Sequence, residues 1–483
     1  MNKKIVGVLT ALLIVALAVP VFADSHMEED YVEDKVEITG EVKSVFQVGS
    51  YGDNEDAAVT LLEDDDALDE DATDDPDLFP AEKAFYQEVD INVAGMVNDN
   101  ITFDLAVDTL TKNFTAVEGP ENDATPSTTL GDQGANSNLN VDTALLTVSD
   151  DVSTLKVGDL AGFQAGVHFI DDEDVEGMEL TTAMNDAEVR AFVAGEDNDA
   201  GDDAANQNDY YGVTYKQNFT DAYLAGDVYT ARENGKAVSA FGVEGEMKAT
   251  DAMTVGGEVI VSDADKDTDL NATKDDYDGD GVDEALDGDT LMRVNADYAA
   301  TDALTLNAKV EMVGEDFAPN HYHDLEETTD YDMFVLGGEM VVDENNTVNA
   351  SYTMVTPGDK LSVVKGGDED KSTIEVGMEN ITGDYTNNAS IAFTTNDTYT
   401  DNSDVTVIKA GTEYAMDAAT VSAEITNQSA DNDNEFTYLV LGYDQQVAEN
   451  VTWNTEAAYL DGTTAADVDG ESTHLETALT VSF

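Results

Sequence analysis

The sequence has no cysteine, which excludes disulfides, thiolate nucleophiles and thiolate metal sites. Positive charge is scarce: 20 Lys and Arg stand against 105 Asp and Glu, a net charge of −85. Only Arg190, Arg232 and Arg293 carry a guanidinium. Such a chain repels a phosphate backbone, so nucleic acid is excluded as a partner. Proline (7) and tryptophan (1) are rare while glycine (36) is plentiful, the balance of an ordered chain with many tight turns. Hydrophobic residues make up 41%, too many for a disordered acidic tail. The acid excess has two readings. One is a cation-handling function; the other is a surface adapted to brine, where carboxylates keep a protein hydrated and unassociated. Habitat adaptation is the simpler of the two.

What is present begins with Lys3 and Lys4, an apolar run over 5–19, and Val21-Phe22-Ala23. This is the charged, apolar and small-residue order of a cleaved export signal. About 15 apolar residues fall short of the ~20 that span a bilayer. Residues 1–23 are therefore expected to be a signal peptide, 24–34 an acidic leader and 35–483 the folded domain. No later stretch is apolar enough for a transmembrane helix. No plug domain is expected ahead of the first strand.

Period two dominates the rest. Ile101-Thr102-Phe103-Asp104-Leu105-Ala106-Val107 alternates, as does Leu304-Thr305-Leu306-Asn307-Ala308-Lys309-Val310-Glu311-Met312. Such runs last about 9–12 residues. That is long for a globular strand of ~5–6 and right for a tilted strand crossing a bilayer. Thr220-Asp221-Ala222, Thr250-Asp251-Ala252 and Thr301-Asp302-Ala303 each precede a new run. Asp and Asn suit such turns because their side chains bond nearby backbone and tolerate left-handed conformations. Longer polar, acidic connections fall near 50–82, 113–137, 196–208, 264–288, 315–330, 357–371 and 461–472. The spacing predicts an all-β fold: a single antiparallel transmembrane β-barrel of about 22 strands, within about 16–24, with short periplasmic turns and long acidic extracellular loops. A water-soluble sandwich shows the same period with its faces inverted. Strand length, turn asymmetry and the chain end separate the two.

In the last run, Leu475, Thr477, Leu479, Val481 and Phe483 share a face. A terminal Phe closing an alternating strand resembles the assembly signal of bacterial outer-membrane barrels, carried here by Leu479, Val481 and Phe483. With the export signal and the hairpin rhythm, the whole mature chain resembles a bacterial outer-membrane porin in an acidic, halophile-type variant. The resemblance implies passive diffusion of ions and small hydrophilic solutes and no enzymatic step. It also implies contact with outer-membrane lipid, the barrel-insertion machinery as a partner, and a homotrimer. One departure is the low aromatic fraction of 7%. It leaves thin interfacial girdles, for which Tyr229, Phe241, Tyr298, Tyr352, Tyr414, Tyr438, Trp453 and Tyr459 are the candidates.

Parity assigns lumen faces. Glu88 and Asp90, Asp104 and Asp108, Glu244 and Glu246, and Lys309 and Glu311 alternate with apolar residues and should line the pore. Arg190 and Arg293 also face inward by parity, and an arginine wall opposite carboxylates resembles the transverse field of a porin constriction. The Gly-rich segment 158–166, after the fifth strand, is the candidate constriction loop.

Asp276, Asp278, Asp280 and Asp287, with Gly281 at the sixth position, supply Ca²⁺-type oxygens at the spacing of a calcium loop. No flanking helices are evident, and no other cofactor is expected. His321 and His323 read as plain loop. No nucleophile elbow or phosphate loop is present. The rival reading is a secreted cell-surface all-β protein, such as a Ca²⁺-binding surface-layer or adhesion module. For the pore, cation preference is expected in dilute salt, fading near molar salt as the Debye length shrinks from about 10 Å to about 3 Å.

Overall fold

The computed structural model describes residues 36–52, 54, 57–58, 61, 83–98, 100–115, 140–166, 169–170, 173–196, 209–233, 236–264, 288–317, 330–359, 370–396, 404–431, 434–466 and 468–483. Residues 38–483 form one unit. The expected signal peptide and leader, the Asp276–Asp287 calcium loop and the His321–His323 segment lie outside the described residues.

The strands are β1 (Val36–Tyr51), β2 (Lys83–Asn98), β3 (Ile101–Thr115), β4 (Asn140–Ser149), β5 (Ser153–Phe163), β6 (Glu173–Met184) and β7 (Ala187–Glu196). Then come β8 (Asp209–Phe219), β9 (Ala222–Glu233), β10 (Lys236–Thr250), β11 (Met253–Ala264), β12 (Thr290–Thr301), β13 (Leu304–Val313), β14 (Tyr331–Asp343) and β15 (Asn346–Pro357). The last are β16 (Lys371–Thr382), β17 (Tyr385–Asn396), β18 (Val405–Met416), β19 (Ala419–Ala430), β20 (Glu435–Ala448), β21 (Val451–Thr463) and β22 (Asp469–Ser482). Each pairs with the next, and β1 pairs antiparallel with β22 from Glu41↔Ser482 to Tyr51↔Ser472. The sheet is thus a closed 22-stranded barrel without a free edge, so every strand has partners on both sides. Phe483 extends the seam: its N–H donates to the Gly40 carbonyl and its carbonyl accepts from the Gly40 N–H.

The two faces separate by chemistry. Val213, Val228, Phe241, Val243, Val259, Met292, Val294, Val310, Leu336, Ile374, Ile408 and Leu441 are exposed on the outer face. That is the apolar coat a hydrocarbon environment requires and water disfavours. Among the outward aromatics, Phe219, Tyr298, Tyr385, Tyr414 and Trp453 sit beside short turns, while Tyr211, Phe241, Phe393 and Tyr459 lie toward the other end. Tyr385 and Phe393 on β17 are about 26 Å apart along the strand, and about 20 Å along the barrel axis once tilted. This is the height of an apolar band between two sparse aromatic belts. Tyr229 and Tyr438 do not belong to the belts. Both point inward, Tyr229 into a buried cluster and Tyr438 against a smaller one.

The short turns recur at one end. Sequence patterning missed two of them. At Asp150–Val152 the Asp150 carboxylate accepts the N–H groups of Val152 and Ser153, both at 2.8 Å. At Gly383–Asp384, Gly383 takes φ +64°, a left-handed conformation natural to glycine. The opposite end is less uniform than expected. The predicted loop over 461–472 is mostly strand, because β21 runs to Thr463 and β22 starts at Asp469. β19 likewise runs to Ala430 and β20 already starts at Glu435.

Candidate functional site

Two pads of apolar side chains fill parts of the lumen. On the first, a bulge between Leu160 and Phe163 ends β5 and turns the chain inward. Ala165, Phe169 and Ile170 are then fully buried against Phe192, Tyr210 and Tyr229. Phe169 stacks on Tyr229 at 5.3 Å between ring centroids, and Phe163 meets Phe192 edge-on at 4.9 Å. The predicted constriction segment 158–166 is therefore shifted. Residues 158–163 are strand, and the inward turn is carried by Gln164–Gly166 and Phe169–Ile170. The same pad continues through Ile260, Leu291, Val313 and Tyr331, which stand opposite one another on β11 to β14. The second pad joins Ala58 and Leu61 to Phe436 and Leu460.

One residue pair nearer the short turns, the wall of the first pad becomes charged. Glu244, Glu258, Arg293 and Glu311 stand opposite one another across β10 to β13. Arg293 Nε donates to Glu311 Oε2 at 2.5 Å, and its Nη1 reaches Glu258 Oε2 at 3.4 Å. Lys309 Nζ lies 3.3 Å from Glu311, and the Tyr331 hydroxyl donates to Glu311 Oε1 at 2.7 Å. Glu311 is only 2% exposed, so these partners replace its hydration. Arg190 is held similarly. Its Nε donates to Glu179 at 2.6 Å, its Nη1 donates to the Gln164 carbonyl at 2.6 Å, and its guanidinium lies over Phe163 at 4.8 Å. Both arginines face inward as parity required, but they do not form a wall opposed to carboxylates. Each is neutralised by acids on adjacent strands, because a largely covered guanidinium needs a near partner.

Glu246, Asp104 and Asp90 fall on the same inward face. Glu88 and Asp108 are in β2 and β3, but their side chains lie outside the described residues. Leu479, Val481 and Phe483 project outward from the closing strand and its end.

Sequence reading missed a regular inner belt. Glu246, Asp297, Glu339, Glu379, Glu413 and Asp444 occupy even strands β10 to β20, and all are exposed. Each stands directly opposite the fourth residue of the following strand: Gly256, Asn307, Asn349, Asn388, Ser422 and Asn454. Hydrogen-bonded rows climb toward the long-loop end as strand number rises, from Gly242 through Ile260, Leu291 and Val313 to Tyr331 and Pro357. Stepping back two residues every two strands therefore holds the belt at one height, which barrel shear demands. The carboxylates are about 10 Å apart. That is too far to share one ion, and none is in an ion pair among the described residues. Asn454 alone hydrogen-bonds its carboxylate, Asp444. The usable signal was the recurring third and fourth strand residues, as in Leu306-Asn307, Val348-Asn349 and Trp453-Asn454.

The outer coat, closed sheet and polar lumen together define a transmembrane β-barrel of the bacterial outer-membrane type. Two solved receptor structures share that fold. The siderophore receptor PirA from Acinetobacter baumannii matches with a TM-score of 0.56 and 9% identity, over 94% of this chain and 81% of that one. The ferric enterobactin receptor PfeA, solved in complex with BCV-L6, matches with a TM-score of 0.50 and 8% identity, over 94% and 82%. OpdQ from Pseudomonas aeruginosa matches with a TM-score of 0.40 and 9% identity, over 93% and 98%. No family model and no curated protein matches the sequence.

Proposed function

We propose that the protein is an outer-membrane porin that passes ions and small hydrophilic solutes by diffusion and prefers cations in dilute salt. The carrying observation is the inner belt of exposed carboxylates, outside any ion pair among the described residues and set at one height inside a closed, apolar-coated barrel. Fixed charge around a water-filled passage raises the local concentration of counter-ions. The paired cluster around Arg293 adds little to that field, because its charges are compensated in place. The apolar outer face supports this reading over a secreted surface protein, since that face calls for lipid as its surroundings. A homotrimer and delivery by the barrel-insertion machinery belong to the same reading, as does adaptation to brine.

The test is single-channel recording with the full-length protein in planar bilayers across a KCl gradient. A cation-directed reversal potential at 0.1 M that collapses near 1 M is expected, following the fall in Debye length. Anion preference in dilute KCl overturns the cation reading, and absence of any conductance overturns the porin.

A further inference from the structure

The belt is not uniform around the barrel. Between β14 and β19 the inner wall recedes into a cavity of about 330 Å³. Its floor is shaped by two cross-strand pairs. Asn349 lies opposite Gly377, and Asn388 lies opposite Gly411. At each glycine a Cβ would strike the oxygen of the facing amide, so both amides lie flat against the wall only because the glycines have no side chain. Rising from this floor is Lys409, which faces inward on β18 beside Ser390. Among the described residues Lys409 has no ion pair. Glu375 on β16 and Glu424 on β19 stand on either side of it, and both carboxylates are exposed.

This combination differs from the Arg293 cluster. In the Arg293 cluster, cations are consumed by neighbouring acids. Here one ammonium makes no ion pair with its flanking carboxylates among the described residues, and the Asn388 amide and Ser390 hydroxyl of β17 stand between it and Glu375. A simple anion meets an excess of negative charge. A simple cation meets the carboxylates but also Lys409. A neutral polyol can use the amides but gains nothing from Lys409. A molecule with one carboxylate and one ammonium satisfies both signs of charge together. The cavity has room for about ten non-hydrogen atoms with some bound water. We infer that this recess is a weak retention site for small zwitterions, with Lys409 receiving the carboxylate and Glu375 or Glu424 the ammonium. Weak retention inside a pore favours flux, because the solute must be drawn in yet leave readily.

The inference rests on the porin reading, and one experiment separates the two. Liposomes containing the full-length protein are swollen in isosmotic glutamine, a zwitterion of suitable size, and in isosmotic sorbitol. The readout is the ratio of the two swelling rates. For Lys409→Gln the glutamine-to-sorbitol ratio is expected to fall about twofold to fivefold, the range of a single water-exposed charge contact. Gly377→Ala, which pushes the Asn349 amide into the recess without changing any charge, is expected to lower the same ratio. Lys248→Gln, at the distant β10–β11 turn, serves as the charge-matched comparison and is expected to match the wild-type ratio. Wild-type ratios in both Lys409→Gln and Gly377→Ala overturn the retention site while leaving the porin intact. No swelling of wild-type liposomes in either solute overturns the porin itself.

Discussion

The inner wall from β6 to β13 and the inner wall from β14 to β20 use the same strand geometry for opposite ends. In the first arc, alongside the exposed belt residues Glu246 and Asp297, Arg190, Arg293 and their carboxylate partners are largely covered beside an aromatic pad and bind one another at 2.5–3.4 Å. In the second, carboxylates are exposed and face neutral amides, a serine and glycines. Charge that is paired and covered organises the wall; charge that is open and unpaired is what the proposed porin would use on passing ions. The net charge of −85 therefore says little about the pore until it is divided between these two states.

That division can be broken in a graded way. The largest effect on stability is expected from Arg293→Gln, which leaves Glu258 and the buried Glu311 without their guanidinium. A loss of about 3 kcal/mol, read by urea unfolding in detergent, is the expectation for one partner removed from a buried pair. An unchanged midpoint would show that water already reaches Glu311. Next comes Phe169→Ala, which removes the ring stacked on Tyr229. It should cost up to about 3 kcal/mol and raise single-channel conductance by clearing part of the lumen. In the open arc the order reverses. The triple change Glu339→Gln, Glu379→Gln and Glu413→Gln should alter stability by no more than about 1 kcal/mol, since exposed charges contribute little. It should nonetheless lower the cation-to-anion permeability ratio about threefold in 0.1 M KCl, with no difference near 1 M. Equal selectivity in the triple variant and wild type would move the filter to the paired arc. The smallest effect belongs to neither arc. Two backbone N–H groups hold the Asp150 carboxyl below the usual carboxylate range. A depressed folded-state value stabilises above the unfolded value near 3.9 and is lost as pH falls through the folded one. Asp150→Ala should therefore show a slightly flatter stability profile below pH 4 and leave conductance untouched.

Much of this was legible in the sequence for a physical reason. Lipid on one side and water on the other enforce strict alternation, so strand number, turns and inward parity could be read from residues such as Val310, Glu311 and Met312. The pads were not legible. Tyr229 and Tyr438 have the same composition signature as girdle aromatics; their parity with Asp227 and Asp444 directs them inward, but that they pack into buried clusters is visible only in the fold. The inward bend after Phe163 depends on a bulge, which shifts register without a change in composition. The pairing of Arg190 with Glu179 joins neighbouring strands at a diagonal that no spacing rule specifies. The belt was hidden differently. Its acids look like ordinary solvated residues strand by strand, and they become a feature only when shear aligns them.

The alignment has a consequence for pore size. From β10 to β21, each hairpin adds two strands to the circumference and one carboxylate to the belt. Along that arc circumference and charge grow in proportion, and the charge per unit of rim stays constant from hairpin to hairpin. A lumen built this way can widen without diluting its perimeter charge, and its local chemistry can be rewritten one hairpin at a time, as Lys409 shows within a single one.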